Sequence, residues 1–212
     1  MSPEPVAYAM PTAVPAVSAA ERTLAVPEKR RRQAPLPDIS MIEGFGADMT
    51  PIVRKLVASD AVAFQALRLE GLKGHPCEFG TAHEEEANLA IEEIERRLDE
   101  GEIYGAFLDG ELAALAGFRR FDRIKKRHKG ELFGVYVGQG KRGLGLGEAV
   151  VQKVIAVARG EVEQLLATVA CLNHPARALY AKLGFEVFGH EPRGQKVGDR
   201  YYDQEHLVLM FR

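Results

Sequence analysis

The sequence predicts a mixed α/β domain, and three observations carry that expectation. Apolar runs rich in β-formers alternate with segments of helical apolar spacing from residue 49 onward. Two such runs flank Asp109-Gly110, the dipeptide a tight type I′ turn favours, so part of the sheet must be a hairpin rather than a parallel crossover. The stretch "GVYVGQGKRGLGLGEAVV" (134–151) passes from β-formers through a glycine cluster into a helix-like segment.

Taken in order, "PIVRKLV" reads as the first strand. Ser59 and Asp60 can cap a helix carrying Val62, Ala63, Ala66 and Leu67 on one face. "GLKGHPCEFG" reads as a loop, and 84–98 as a second helix with the stripe Ala87, Ile91, Ile94 and Leu98. The hairpin 102–121 follows, then a connection with seven Lys or Arg in the eleven residues 119–129. "ELFGVYV" is the next strand and 144–159 the next helix. "VEQLLATVA" is a strand, and "HPARALYAKL" a short helix with Pro175 suited to its first turn. "FEVFGH" and "YYDQEHLVLMF" close the sheet, giving the order β-α-α-β-β-β-α-β-α-β-β with no internal repeat. An exposed C-terminal strand would offer an edge for a homodimer.

Residues 1–48 differ from this pattern. Seven of the eleven prolines fall before residue 40 and no glycine precedes Gly44, so a flexible Pro/Ala-rich tail is expected, with the folded domain over 49–212. Across the chain, 46% hydrophobic and 27% charged residues describe a globular protein. A formal net charge of −2 argues against a nucleic-acid or anionic-membrane partner. Cys77 and Cys171 stand far apart with no metal-ligand spacing, so no metal is expected and the thiols suit a reducing cytoplasm. No apolar run reaches the ~20 residues that span a bilayer, and the N-terminus lacks the pattern of a secretory signal.

A strand, a glycine turn and a helix make an anion site. The helix start offers unpaired N–H groups and a partial positive charge, and glycines let a phosphate approach the backbone. A Walker A loop is excluded, because Gly140-Lys141 is followed by Arg142 and residue 135 is valine. "GQGKRG" matches the dinucleotide fingerprint literally, but the end of the next strand, "TVACLN", has no acid for the ribose.

"RGLGLG" fits [Q/R]xxGx[G/A] with Arg142, Gly145 and Gly147, and "NHPARALYAKLGF" fits NxxAxxLYxxxGF with Asn173, Ala176, Tyr180 and Gly184-Phe185 about 30 residues later. Together these blocks resemble the GNAT family of N-acetyltransferases over residues 49–212, and "HKGELFGVYV" resembles its phosphinothricin-type, small-molecule subset. The resemblance implies the acyl-CoA N-acyltransferase fold, a twisted, mostly antiparallel sheet with a splayed parallel pair. It implies acetyl-CoA as co-substrate and direct acetyl transfer to a small-molecule primary amine in a ternary complex. A protein acceptor, or a non-catalytic coenzyme A-binding module, is the alternative.

On the same resemblance, the backbone of Val135, Tyr136 and Val137 would hold the pantetheine arm. The N–H groups of Gly143, Leu144, Gly145, Leu146, Gly147 and Glu148, with Arg142, would hold the diphosphate. Tyr180 would stabilise the leaving thiolate. Asn173 would line the site, and it also suits a helix cap. Glu131 would be the base, on the face of Phe133, Val135 and Val137 unless a bulge intervenes; His75, His128 and the acids of 83–88 are further candidates. The acceptor pocket is expected between the first two helices, their loop and the final hairpin.

Overall fold

The computed structural model describes residues 50–211, and the tail expected over 1–48 lies outside the described residues. Seven strands form one sheet: β1 (Ile52–Lys55), β2 (Glu102–Leu108), β3 (Glu111–Arg120), β4 (Lys129–Val137), β5 (Gln164–Ala170), β6 (Glu186–Val197) and β7 (Arg200–Met210). Their spatial order is β1-β2-β3-β4-β5-β7-β6. All neighbours are antiparallel except β4 and β5. The mixed sheet is therefore present, and Asp109 and Gly110 both take positive φ (53° and 80°) at the β2–β3 turn, as a type I′ hairpin requires.

The helices are α1 (Ala61–Gly74), α2 (His83–Glu86), α3 (Ile91–Glu100), α4 (Leu146–Glu161) and α5 (His174–Lys182). Strand alternation divides their cores. Ala114, Ala116, Leu132, Leu165, Ala167 and Leu207 meet Val150, Val154 and Ile155 of α4 on one face. On the other face Leu56, Ile94, Leu98 and Ile103 form one cluster, and Leu67, Leu115 and Tyr136 another. No helix among the described residues is long and apolar enough to cross a membrane.

Five expectations are corrected. The buried face of α1 is Ala61, Leu67, Gly71 and Leu72, while Val62 is 71% exposed and Ala63 and Ala66 face solvent. The larger side chains Leu67 and Leu72 win the core over alanines, which lose little by exposure. Asp60 does not cap α1 through its side chain; its carboxylate accepts the Val57 N–H (3.0 Å) and pairs with Arg54 (2.7 Å), so it closes a 3-10 turn before the helix. The helix runs on to Gly74, into the expected loop. The expected helix 84–98 is two, because Ala90 is extended and Leu89 packs inward at the break. Finally, the C-terminal strand β7 lies inside the sheet, and the edge strands are β1 and β6, with Val187 and Phe188 of β6 exposed.

Leu98 is fully buried beneath α3. Leu98→Ala should lower unfolding free energy by about 3 kcal/mol, within the ~2–5 kcal/mol usual for such truncations, as read by urea denaturation.

Candidate functional site

The parallel pair β4–β5 is short. Lys129, Gly130 and Glu131 pair with Gln164, Leu165 and Leu166, and no later residue of β4 pairs with β5. Among the described residues, no strand lies beside the β4 edge on that side from Leu132 to Val137, which leaves a gap bordered by backbone N–H and C=O groups.

A bulge shapes the same stretch. Gly117 of β3 pairs with Phe133, but Leu115 pairs with Tyr136, so Gly134 and Val135 together oppose Ala116. Gly134 has φ +62°, which a glycine adopts without the strain a Cβ imposes. The extra residue flips the alternation. Phe133 joins the core beside α3, whereas Val135 and Val137 pack toward α4. The expected common face for Glu131, Phe133, Val135 and Val137 is thus corrected: Glu131 shares only that of Phe133.

Beyond β4 the chain turns sharply. Gly140, Gly143 and Gly145 all have positive φ (80°, 78° and 73°), and Gly145 is the N-cap of α4. Among the described residues the N–H groups of Gly143, Leu144 and Gly145 have no hydrogen-bond acceptor. They add to the open N–H groups of the first turn of α4, beginning with Leu146, Gly147 and Glu148. The Glu148 side chain is engaged with Lys182 at 2.6 Å, so only its backbone is available here. Arg142 lies beside the turn, reaching the Val137 carbonyl (3.4 Å) and His75 Nε2 (2.8 Å). The arrangement fits a diphosphate: oriented donors, glycines where side chains would obstruct, and one guanidinium.

Tyr180 and Asn173 come from α5. Asn173 is its N-cap, with Oδ1 accepting the Ala176 N–H at 3.0 Å and Pro175 in the first turn. Tyr180 is buried against Phe185, ring centroids 5.5 Å apart. Burial holds its phenol above the usual tyrosine range, so it stays a proton donor at neutral pH.

A cavity of about 680 Å³ adjoins the bulge, lined by Phe64, Arg68, Leu89, Ile94, Phe133 and Gly134 among others. It is lined by residues of α1, α2, α3, β2, β3 and β4 and by Val157 and Glu161 near the end of α4; neither the loop 71–82 nor the final hairpin lines it, contrary to expectation. Arg68 binds Glu86 through Nε and Nη2, both at 2.9 Å, and its buried Nη1 has no partner among the described residues. Glu70 accepts from the Tyr136 hydroxyl (2.9 Å) and the Gln139 N–H (2.8 Å), fixing the end of β4. Burial, then the Glu70 carboxylate, raise the Tyr136 phenol above its ordinary range. Sequence reasoning missed both Arg68 and Glu70. The signal for Arg68 was a cation within the stripe that buries α1.

Of the candidate bases, Glu131 forms an ion pair with Arg119. His128 precedes β4, at the end of the strand away from the gap. His75 is bonded to Arg142, Glu86 to Arg68, and Glu85 to the Ala82 N–H.

The comparisons agree with this geometry. The acetyltransferase (GNAT) family model matches residues 69–185. No curated protein matches the sequence significantly. A GNAT-family acetyltransferase from Streptococcus pneumoniae is similar with TM-score 0.66 and 24% identity, over 76% of this chain and 99% of that one. A phosphinothricin acetyltransferase from Sinorhizobium meliloti, solved with AcCoA, gives TM-score 0.67 and 19% identity over 77% and 89%. A ribosomal-protein-alanine N-acetyltransferase from Brucella melitensis gives 0.64 and 23% over 76% and 99%. At such identities the likeness is one of fold.

If Asn173 acts as the cap its geometry describes, Asn173→Ala should cost about 1 kcal/mol, read as a lowered thermal midpoint without loss of the folded baseline.

Proposed function

The chain belongs to the acetyltransferase (GNAT) family, and on that premise we propose that it transfers acetyl from acetyl-CoA to a primary amine of a small molecule. The single observation that supports this most is the joining of the β4–β5 gap to the glycine turn. The gap offers a strand edge, and the turn offers unpaired N–H groups at the start of α4. An extended pantetheine would bond the backbone of Val135, Tyr136 and Val137 as an added strand does. The diphosphate would sit on the N–H groups of Gly143 to Glu148, with Arg142 beside it.

Acetyl-CoA supplies a thioester carbonyl and a good leaving group. The remaining work belongs to the chain. An N–H of β4 past the bulge would stabilise charge on the carbonyl oxygen. Tyr180, kept protonated by burial, would donate to the departing sulfur. A purely regulatory coenzyme A module has no use for such a donor, which favours an enzyme. Asn173 would line the site while capping α5. Glu131, on the face of Phe133, would draw an ammonium toward the gap.

The cavity supports the acceptor class. Its volume of about 680 Å³ falls within the ~300–1,000 Å³ typical of small-molecule sites. Aromatic and aliphatic walls suit a hydrocarbon body, and the free Arg68 Nη1 would serve an oxygen acceptor on it. The neighbour from Sinorhizobium meliloti is named for phosphinothricin and the one from Brucella melitensis for a ribosomal protein. Fold alone therefore does not choose the acceptor, and the cavity is what favours a small one.

Calorimetric titration with acetyl-CoA, followed by thiol release against a panel of amino acids, antibiotics, polyamines and peptides, tests the reading. Binding with release by a small amine is expected; release with peptides only would overturn the acceptor class. Tyr180→Phe should lower kcat on the order of 10- to 100-fold with acetyl-CoA affinity unchanged; equal loss of both would mean that Tyr180 only packs. Gly145→Val should abolish acetyl-CoA binding in a protein that still melts cooperatively, and retained binding would refute the role given to the turn.

A further inference from the structure

β5 and β7 pair Thr168 with His206, and β6 brings Glu191 to the same imidazole. Thr168 Oγ1 lies 3.2 Å from His206 Nδ1, and His206 Nε2 lies 2.9 Å from Glu191 Oε2. With Nε2–H donating to the carboxylate, Nδ1 keeps its lone pair and accepts from the threonine hydroxyl. The order hydroxyl, imidazole, carboxylate is that of a proton relay.

Its place in the sheet matters more than its order. Leu165, Ala167, Val169, Leu207 and Leu209 point into the core beneath α4. By alternation Leu166, Thr168 and His206 turn to the opposite face. Glu131 and Phe133 of β4 share that face, and Glu131 pairs with Leu166 at the last position before the strands part. Thr168 is the next residue of β5 on that face, as Phe133 is the next of β4. Thr168 is exposed. The relay therefore ends in a hydroxyl at the mouth of the gap.

We propose that Thr168, His206 and Glu191 deprotonate the acceptor amine, an inference that rests on the acetyltransfer reading above and deepens it. The acceptor arrives as an ammonium, whose nitrogen has no lone pair for attack. One N–H proton passes to Thr168 Oγ1 as the hydroxyl proton passes to His206 Nδ1, and the imidazolium is held by Glu191. The freed lone pair forms the C–N bond to the acetyl carbon, and the C–S bond breaks. The second N–H proton is released to solvent as the amide forms, Tyr180 delivers its proton to sulfur and is reprotonated from solvent, and His206 returns its proton to solvent, so that one proton is released overall. Thr168 touches the acceptor and is catalytic in that sense; Glu191 is a positioning residue. The imidazole is flanked by Thr168 from β5 and by Phe188, Gly189 and Glu191 from β6, and among these described residues Glu191 is the charged one.

The test is the pH profile of kcat/KM for the amine that the wild type accepts, or for acetyl-CoA hydrolysis where water is the only acceptor. The wild-type rate should fall on the acid side. His206→Gln should lose on the order of 100-fold and the acid limb with it, while calorimetry shows unchanged acetyl-CoA affinity. Glu191→Gln, which keeps the shape, should move the limb to lower pH, because an imidazolium without its carboxylate is less stable. Histidine ring ¹⁵N shifts should move by the same amount. Glu131→Gln should raise KM for the amine and keep the limb.

Three outcomes overturn the inference: a limb that survives in His206→Gln, a limb lost in Glu131→Gln instead, or an acetylated Thr168 seen by mass spectrometry. A wild type that binds acetyl-CoA yet shows neither reaction overturns it too. Failure to bind acetyl-CoA at all would overturn the reading beneath it.

Discussion

The rest of the site depends on the separation of β4 from β5 after Glu131. A strand inside a sheet has its polar backbone groups paired on both sides, and breaking that pairing is unfavourable unless something replaces it. Here the break is built in. The bulge at Gly134 places two residues of β4 opposite one of β3, bends the strand and increases its twist. The same bulge sends Val135 and Val137 into the α4 core while Phe133 stays on the other face. One glycine thus sets the edge on which a ligand can lie and anchors the strand that carries it.

The two faces then have different tasks. Beneath the gap, the start of α4 and its glycine turn and the buried Tyr180 of α5 suit an anionic donor and its leaving sulfur, while Arg142 reaches the turn from the α1 side, over Tyr136 and beside His75. On the opposite face are the cavity beside α1 and α3, Glu131, and the hydroxyl–imidazole–carboxylate chain on β5, β7 and β6. Acceptor and donor would meet through the gap from opposite sides. That geometry favours direct transfer over a covalent intermediate, since neither substrate needs to leave for the other to enter.

Much of this was legible in the sequence. The strand–glycine–helix run at 134–151 located the turn, Asp109-Gly110 located a hairpin, and Asn173 before His174-Pro175 located a cap. What was hidden depended on tertiary pairing. Apolar spacing alone favoured Val62, Ala63, Ala66 and Leu67 for the inner face of α1; of these Leu67 is inside, and close packing on Tyr136 adds Gly71 in place of the others. The helix break at Ala90 carries neither proline nor glycine and was invisible for that reason. A bulge was foreseen as a condition on the face of Glu131, but only register with β3 could place it at Gly134. His206, Thr168 and Glu191 lie on three strands and meet only once β7 is inserted between β5 and β6.

One ligand should occupy both the β4 edge and the start of α4. Amide ¹H–¹⁵N shifts recorded during titration with acetyl-CoA test it most directly. Saturable shifts are expected in the amides of residues 135–137 and 143–148, with a common dissociation constant for both groups. Shifts confined to the basic connection 119–129, or two groups that saturate at different concentrations, would contradict it.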